Sequence, residues 1–155
     1  MRLNWSKILP ESYQAMLRLQ KVVDDSKIEH RLIELVKIRA SQINGCAFCL
    51  DMHTKDAIAL GESQQRIYLL SAWRETTIYS ERERAALAWC ESLTQISQTG
   101  APDEIYQEVE KVFSAEEIAQ LTMAIVVINS WNRLSVGFRT PVGDYVSSHG
   151  VEERR

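Results

Sequence analysis

Apolar residues recur at helical spacing through most of this chain. Residues 11–24 set Tyr13, Met16, Leu17, Val22 and Val23 among polar neighbours. Residues 28–43 place Ile28, Leu32, Leu35, Val36, Ala40 and Ile43 on one stripe, the pattern of an amphipathic helix. Asn44-Gly45 breaks that helix. The next is predicted from about Cys46 to Leu60, where Gly61 stops it, followed by a short helix over 63–72. Ser80 with Glu83 reads as a capping box opening a helix to about Ile96. Gly100-Ala101-Pro102 is a stop, and Asp103 is placed to cap a helix reaching about Val112. Ser114 with Glu117 repeats the capping box and opens a last helix to about Phe138, ahead of Pro141-Val142-Gly143.

In that last helix Ile118, Leu121, Met123, Ala124, Ile125, Val126, Val127, Ile128, Trp131, Leu134, Val136 and Phe138 do not fit one face. A helix apolar nearly all round needs cover on nearly all sides, and in a small chain a partner subunit is the expected source. The residues after Gly143, 144–155, are polar and without period, which predicts a segment either mobile or laid across a neighbour. No strand alternation, repeat or linker interrupts the pattern. The expected architecture is all-α: a single-domain bundle of about six to seven helices over 1–143, oligomeric, with a polar tail over 144–155.

Composition narrows the function classes. A chain of 155 residues with 45% hydrophobic and 25% charged residues can build one globular core. Six Gly and three Pro are too few for a turn-dense all-β protein. A net charge of -3 and a pI of about 5.7 argue against nucleic acid or an anionic membrane as the main partner. The longest apolar run, Met123 to Ile128, is far short of the ~20 residues that span a bilayer. Residues 1–14 lack the ~7–15-residue apolar core of a secretory signal. The expected location is the cytoplasm.

Three cysteines, Cys46, Cys49 and Cys90, do not make a disulfide framework. A cytosolic C-x-x-C points instead to redox chemistry or metal binding. With Cys46 and Cys49 at i,i+3 and Cys49 and His53 at i,i+4, a helix would put all three on one face. A thiol reacts as its thiolate, and an adjacent imidazole can take the proton. A tight reversal at Asn44-Gly45 could bring Glu34 over the C-x-x-C turn to orient or charge-balance His53. Cβ atoms three apart on a helix lie ~5–6 Å from each other. A relaxed disulfide wants about 3.8 Å, so a Cys46–Cys49 bridge implies distortion of the first turn. Such a pair suits turnover better than a structural staple.

Plainer readings stand beside these. Glu34 can pair with Arg31 or Lys37 at helical spacing, and a lone histidine such as His53 is usually a packing or surface residue. Cys46, Cys49 and His53 offer three soft metal ligands, where a closed zinc site wants four. Leu50 after Cys49 argues against haem attachment. Cys90, among Ala85, Leu87 and Trp89, reads as a buried small apolar residue, and His30 and His149 as structural or solvated. Helix-dipole reasoning favours Cys46 as the nucleophile, because it lies nearer the helix start. The His53 spacing favours Cys49.

The run INGCAFCLDMHTKDA, with Glu34 twelve residues before Cys46, resembles the E-x11-C-x-x-C-x-x-x-H signature of alkylhydroperoxidase D-like (AhpD-like) proteins. These belong to the carboxymuconolactone decarboxylase superfamily. RIYLLSAWRET (66–76), SERERAALAWCESLT (80–94) and INSWNRLSVGFRTPVG (128–143) extend the resemblance over roughly 3–143. It implies an all-α fold assembled as trimers or hexamers. It also implies Cys49 as the residue that attacks peroxide, Cys46 as proton donor and resolving thiol, and Glu34 with His53 as a proton relay. No metal, flavin or haem is then required. The implied partners are a small peroxide and a dithiol reductant. Two rival functions remain open at this point. One is a lactone decarboxylase using His53 and Glu34 with the thiols incidental. The other is a redox-sensing or metal-binding module without catalysis.

Overall fold

His30–Asn44, here α3, is the helix around which the others pack, and nine of its fifteen residues are buried, Leu32 through Ile38 without a break. A computed structural model describes residues 1–149. Before α3 come α1, Trp5–Ile8, and α2, Pro10–Asp24. After it come α4, Ala47–Ala59, and α5, Gln64–Leu69, continued by a 3-10 segment over Leu70–Glu75. Then follow α6, Glu81–Thr94, α7, Ile96–Thr99, α8, Asp103–Glu110, and α9, Ala115–Phe138. No strand occurs among the described residues. No described helix is long and apolar enough to cross a membrane.

α3 divides the apolar interior in two. On one side Leu32, Val36 and Ala40 join a cluster with Val23 of α2, Cys90 of α6, Phe113, and Leu121, Ile125 and Ile128 of α9. On the other, Leu35 and Ile38 pack with Ala57 of α4, Ile67 of α5, Leu70, Trp73, Tyr79 and Leu87 of α6. A one-sided stripe therefore understates α3. Glu34 and Lys37, the polar residues between the apolar ones, are also buried, and Ile43 is only half-buried.

Both capping boxes are present. Ser80 and Ser114 each accept from the backbone N–H three residues on, while Glu83 and Glu117 reach back to the cap N–H. Four expectations are corrected. Pro102, not Asp103, occupies the cap of α8, and Asp103 starts the helix itself. The helix predicted to reach Ile96 stops at Thr94 and restarts as the four-residue α7. The predicted 63–72 helix tightens to 3-10 geometry from Leu70. The single turn α1 has no counterpart among the predicted helices. α9 buries Ile118, Leu121, Ala124, Ile125, Val127 and Ile128 within this one chain, leaving Val126 and Val136 exposed.

The tail also differs from expectation. Residues 144–149 are not helical, but the chain turns back along its own α4. Gly143 N–H donates to Asp51 Oδ2 at 3.3 Å, and Lys55 Nζ donates to the Tyr145 carbonyl at 3.0 Å. Residues 150–155 lie outside the described residues.

Candidate active site

The reversal between α3 and α4 is built by Gly45, whose φ of 65° and ψ of 36° put it in the left-handed region that favours glycine. Cys46 follows with its N–H donating to the Ser41 carbonyl at 3.0 Å. A buried polar network ties this corner to α9. Asn44 Nδ2 donates to Asn129 Oδ1 at 3.0 Å and Asn132 Oδ1 at 2.8 Å, and Asn132 Nδ2 donates to Ser41 Oγ at 3.0 Å.

Cys46 is not on the helix face expected of it. It is the N-cap of α4, with an extended backbone, and its Sγ accepts from the Cys49 N–H at 3.3 Å. Leaving the helix at that position lets the two cysteines approach, with Cα atoms 5.4 Å apart, and they are joined as a disulfide. Both are 1% exposed. His53 lies one turn beyond Cys49 on α4.

Across the reversal, Glu34 Oε2 lies 2.8 Å from His53 Nδ1, and Glu34 Oε1 accepts from Lys37 Nζ at 2.8 Å. All three side chains are buried. Burial pushes the Glu34 carboxyl up. The His53 hydrogen bond and charge and the Lys37 ammonium outweigh that and hold it at about 2. Glu34 is therefore a carboxylate at neutral pH and accepts from the His53 Nδ1–H, which leaves Nε2 as the ring nitrogen that Glu34 does not engage.

Two further groups complete the site. Asp56, 5% exposed, sits one turn past His53, and donor atoms of Glu34, His53 and Asp56 lie within 4.8 Å of one another. The Tyr145 hydroxyl donates to Asp56 at 2.8 Å and 3.0 Å to its two oxygens. Asp56 carries a local signal, being i+3 from His53 on a helix. Tyr145 carries none, since only the folded chain brings it to α4. The metal alternative built on Cys46, Cys49 and His53 is not the one the fold assembles. Among the described residues, the one group placed to share an ion is Glu34, His53 and Asp56. Every carboxylate oxygen in it already accepts a hydrogen bond. Cys90 is fully buried in the core, donates to the Val36 carbonyl at 3.4 Å, and burial pushes its thiol up to about 12. His30 and His149 are exposed.

The chain is similar to known proteins over most of its length. The carboxymuconolactone decarboxylase family is matched over residues 10–92. The uncharacterized protein YdfG of Bacillus subtilis (strain 168) is 45% identical over 135 residues, covering 87% of this chain and 92% of YdfG. A crystal structure from Agrobacterium tumefaciens, of a protein of unknown function considered a candidate antioxidant defence protein AhpD, is 48% identical with a TM-score of 0.90. It covers 93% of this chain and 99% of its own. An uncharacterized peroxidase-related protein from Silicibacter sp. TM1040 shares the fold at 17% identity and a TM-score of 0.77, over 91% of this chain and 73% of that one. With its Cys46–Cys49 pair set one helical turn from a Glu34-bound His53, this chain belongs to the carboxymuconolactone decarboxylase family and is one of its AhpD-like members.

Proposed function

We propose that the protein is a thiol-dependent hydroperoxidase serving antioxidant defence. The observation that carries the reading is the joined Cys46–Cys49 pair at the start of α4 with His53, held by Glu34, one turn on. In the reduced protein His53 takes the Cys49 proton. The thiolate attacks the terminal oxygen of R–O–OH, the O–O bond breaks, and Cys49 becomes a sulfenic acid as an alkoxide leaves. Cys46 gives the alkoxide its proton. The resulting Cys46 thiolate attacks the sulfenic sulfur, closing the disulfide and releasing hydroxide, which the His53 imidazolium neutralises. The sum is two thiols and a peroxide giving a disulfide, an alcohol and water. An external dithiol restores the thiols by exchange.

Cys49 rather than Cys46 is the attacking residue in this reading, because it alone has the imidazole one turn on. The A. tumefaciens relative, at 48% identity, bears an antioxidant designation, which supports the same class of chemistry. The catalytic set is Cys49, Cys46, His53 and Glu34, with no cofactor. The working form is a homo-oligomer, a trimer or hexamer, in the cytoplasm. The family name favours a second reading, lactone decarboxylation, in which the Glu34–His53 pair does acid–base work and the thiols are idle.

Peroxide consumption with a panel of dithiol reductants, on wild type and Cys49→Ser, tests the choice. Turnover lost in Cys49→Ser supports the hydroperoxidase. Equal turnover in both, or none with any reductant, sends the reading to the decarboxylase.

A further inference from the structure

The Glu34–His53 pair does not stand alone. Asp56 puts a second buried carboxylate within 4.8 Å of it. Glu34 has two cationic or polar donors, Lys37 and His53, but Asp56 has one described hydrogen-bond donor, the Tyr145 hydroxyl. That hydroxyl belongs to the segment after α9, which is held along α4 by the Gly143 N–H on Asp51 and by Lys55 on the Tyr145 carbonyl. Burial first, then the hydrogen bond to Asp56 and the negative charges of Asp56 and Glu34, push the Tyr145 phenol up, so it remains an O–H donor.

We infer that Tyr145 is a positioning residue for the relay: its hydroxyl engages the Asp56 carboxylate, so that Glu34 alone holds His53 and the field at Cys49 stays favourable to a thiolate. The physics is local. The neutral hydroxyl leaves the Asp56 carboxylate its charge but takes up acceptor positions that would otherwise turn to the next donor. Left without that bond, Asp56 competes with Glu34 for the His53 ring, and its charge disfavours a further anion at Cys49, two turns away on α4. The other charged groups around this cluster are Lys37, Asp24 at 4.0 Å from the Lys37 ammonium, and Lys55 and Asp51 on the outer side of α4. None of these donates to Asp56. The segment after α9, which reads as a loose polar tail, thereby becomes part of the site.

The role rests on the proton relay proposed above, but its test needs no peroxide. In the reduced full-length protein with Cys46→Ser, Cys49 is alkylated by iodoacetamide across pH, and the midpoint reports its ionisation. Adding Tyr145→Phe should raise that midpoint by about one pH unit, which is about tenfold less thiolate at neutral pH. Asp56→Asn removes the charge that the hydroxyl engages. In the Asp56→Asn background, Tyr145→Phe should leave the midpoint where Asp56→Asn alone puts it, below that of the parent. A purely structural tyrosine would give the same effect in both backgrounds. An unchanged midpoint on Tyr145→Phe, or an equal shift with and without Asp56, overturns the inference. If Tyr145→Phe alone does not fold, the comparison of Asp56→Asn with the parent decides: no downward movement rejects it. A protein inactive toward peroxide leaves all of these readings intact, so failure of the hydroperoxidase and failure of this role are separable.

Discussion

Glu34 and His53 stand nineteen residues apart, yet Glu34 Oε2 and His53 Nδ1 lie 2.8 Å from each other across the α3–α4 reversal. The contact fixes the imidazole by its Nδ1 side, and His53 first, with the Lys37 ammonium on the other carboxylate oxygen, keeps Glu34 ionised. It also makes both ends of the pair sensitive to single substitutions.

Glu34→Gln and His53→Gln should slow the first reaction with peroxide without abolishing it. In the proposed mechanism neither side chain bonds to the peroxide, and both act on the readiness of Cys49. General acid–base assistance is typically worth ~10²–10⁴-fold, so the single-turnover rate should fall by that order. Stopped-flow loss of peroxide against the reduced variants measures it. Rates equal to wild type would remove the relay from the mechanism.

Acid should weaken the fold through Glu34. Its folded-state carboxyl is held at about 2, below the value it has in an unfolded chain. A depressed carboxyl contributes stability that is fully present above the unfolded value and is lost as pH falls through the folded one. The contribution is on the order of 3 kcal/mol from that difference. Urea unfolding between pH 5 and pH 2 should show wild type losing more stability than Glu34→Gln, where no such titration exists. Parallel pH curves for the two would contradict the assignment.

How much of this was readable in the chain depends on how local each feature is. The capping boxes at Ser80 and Ser114 are four-residue patterns, and both helices start there. The helix, Asn44-Gly45 break and helix over 28–60 needed only the reversal to bring Glu34 to His53. The inward Lys37 was less legible, because a charged residue between apolar ones normally marks the solvent face. Its burial is offset by the bond to Glu34, with Asp24 4.0 Å away. The Cys46 position turned on one residue, since an N-cap has a backbone that a continuous helix does not. Tyr145 meets Asp56 at a separation of 89 residues, a contact no periodicity encodes. The turns α1 and α7 are four residues each, too short to carry a helical period.

The polar corner under the cysteines should be costly to open. Asn132 is 1% exposed, accepts from Asn44 and donates to Ser41, whose carbonyl receives the Cys46 N–H. Asn132→Leu should destabilise the protein by about 1–3 kcal/mol, the cost of stranding buried polar partners. Denaturant midpoints report this. A change within about 0.5 kcal/mol would show that the corner is held by packing alone.

Association is expected from the surface. Val126 and Val136 of α9 are exposed at 45% and 36%, on the helix that buries Ile118, Leu121, Ala124, Ile125, Val127 and Ile128. Light scattering at micromolar concentration should give a homo-oligomer, and Val126→Asp should weaken it. A monomeric wild type would contradict the proposed assembly.

Peroxide treatment should leave Cys90 reduced. It is fully buried, and its thiol is pushed up to about 12, so almost no thiolate is available at neutral pH. Peptide mapping should find one intramolecular disulfide, Cys46 to Cys49. Cys90 in the main oxidised species would overturn the pairing.

The most direct test of the central claim is sulfenic acid trapping with dimedone in the two single cysteine variants. In Cys46→Ser, peroxide should produce an adduct on Cys49, because no resolving thiol remains to consume the sulfenic acid, and excess peroxide should over-oxidise it. Cys49→Ser should give no adduct at comparable speed, since Cys46 at the helix cap lacks the imidazole one turn on. Labelling of Cys46 in Cys49→Ser at the wild-type rate would reverse the roles of the two cysteines. Absence of any peroxide reaction in wild type and both variants would contradict the hydroperoxidase itself.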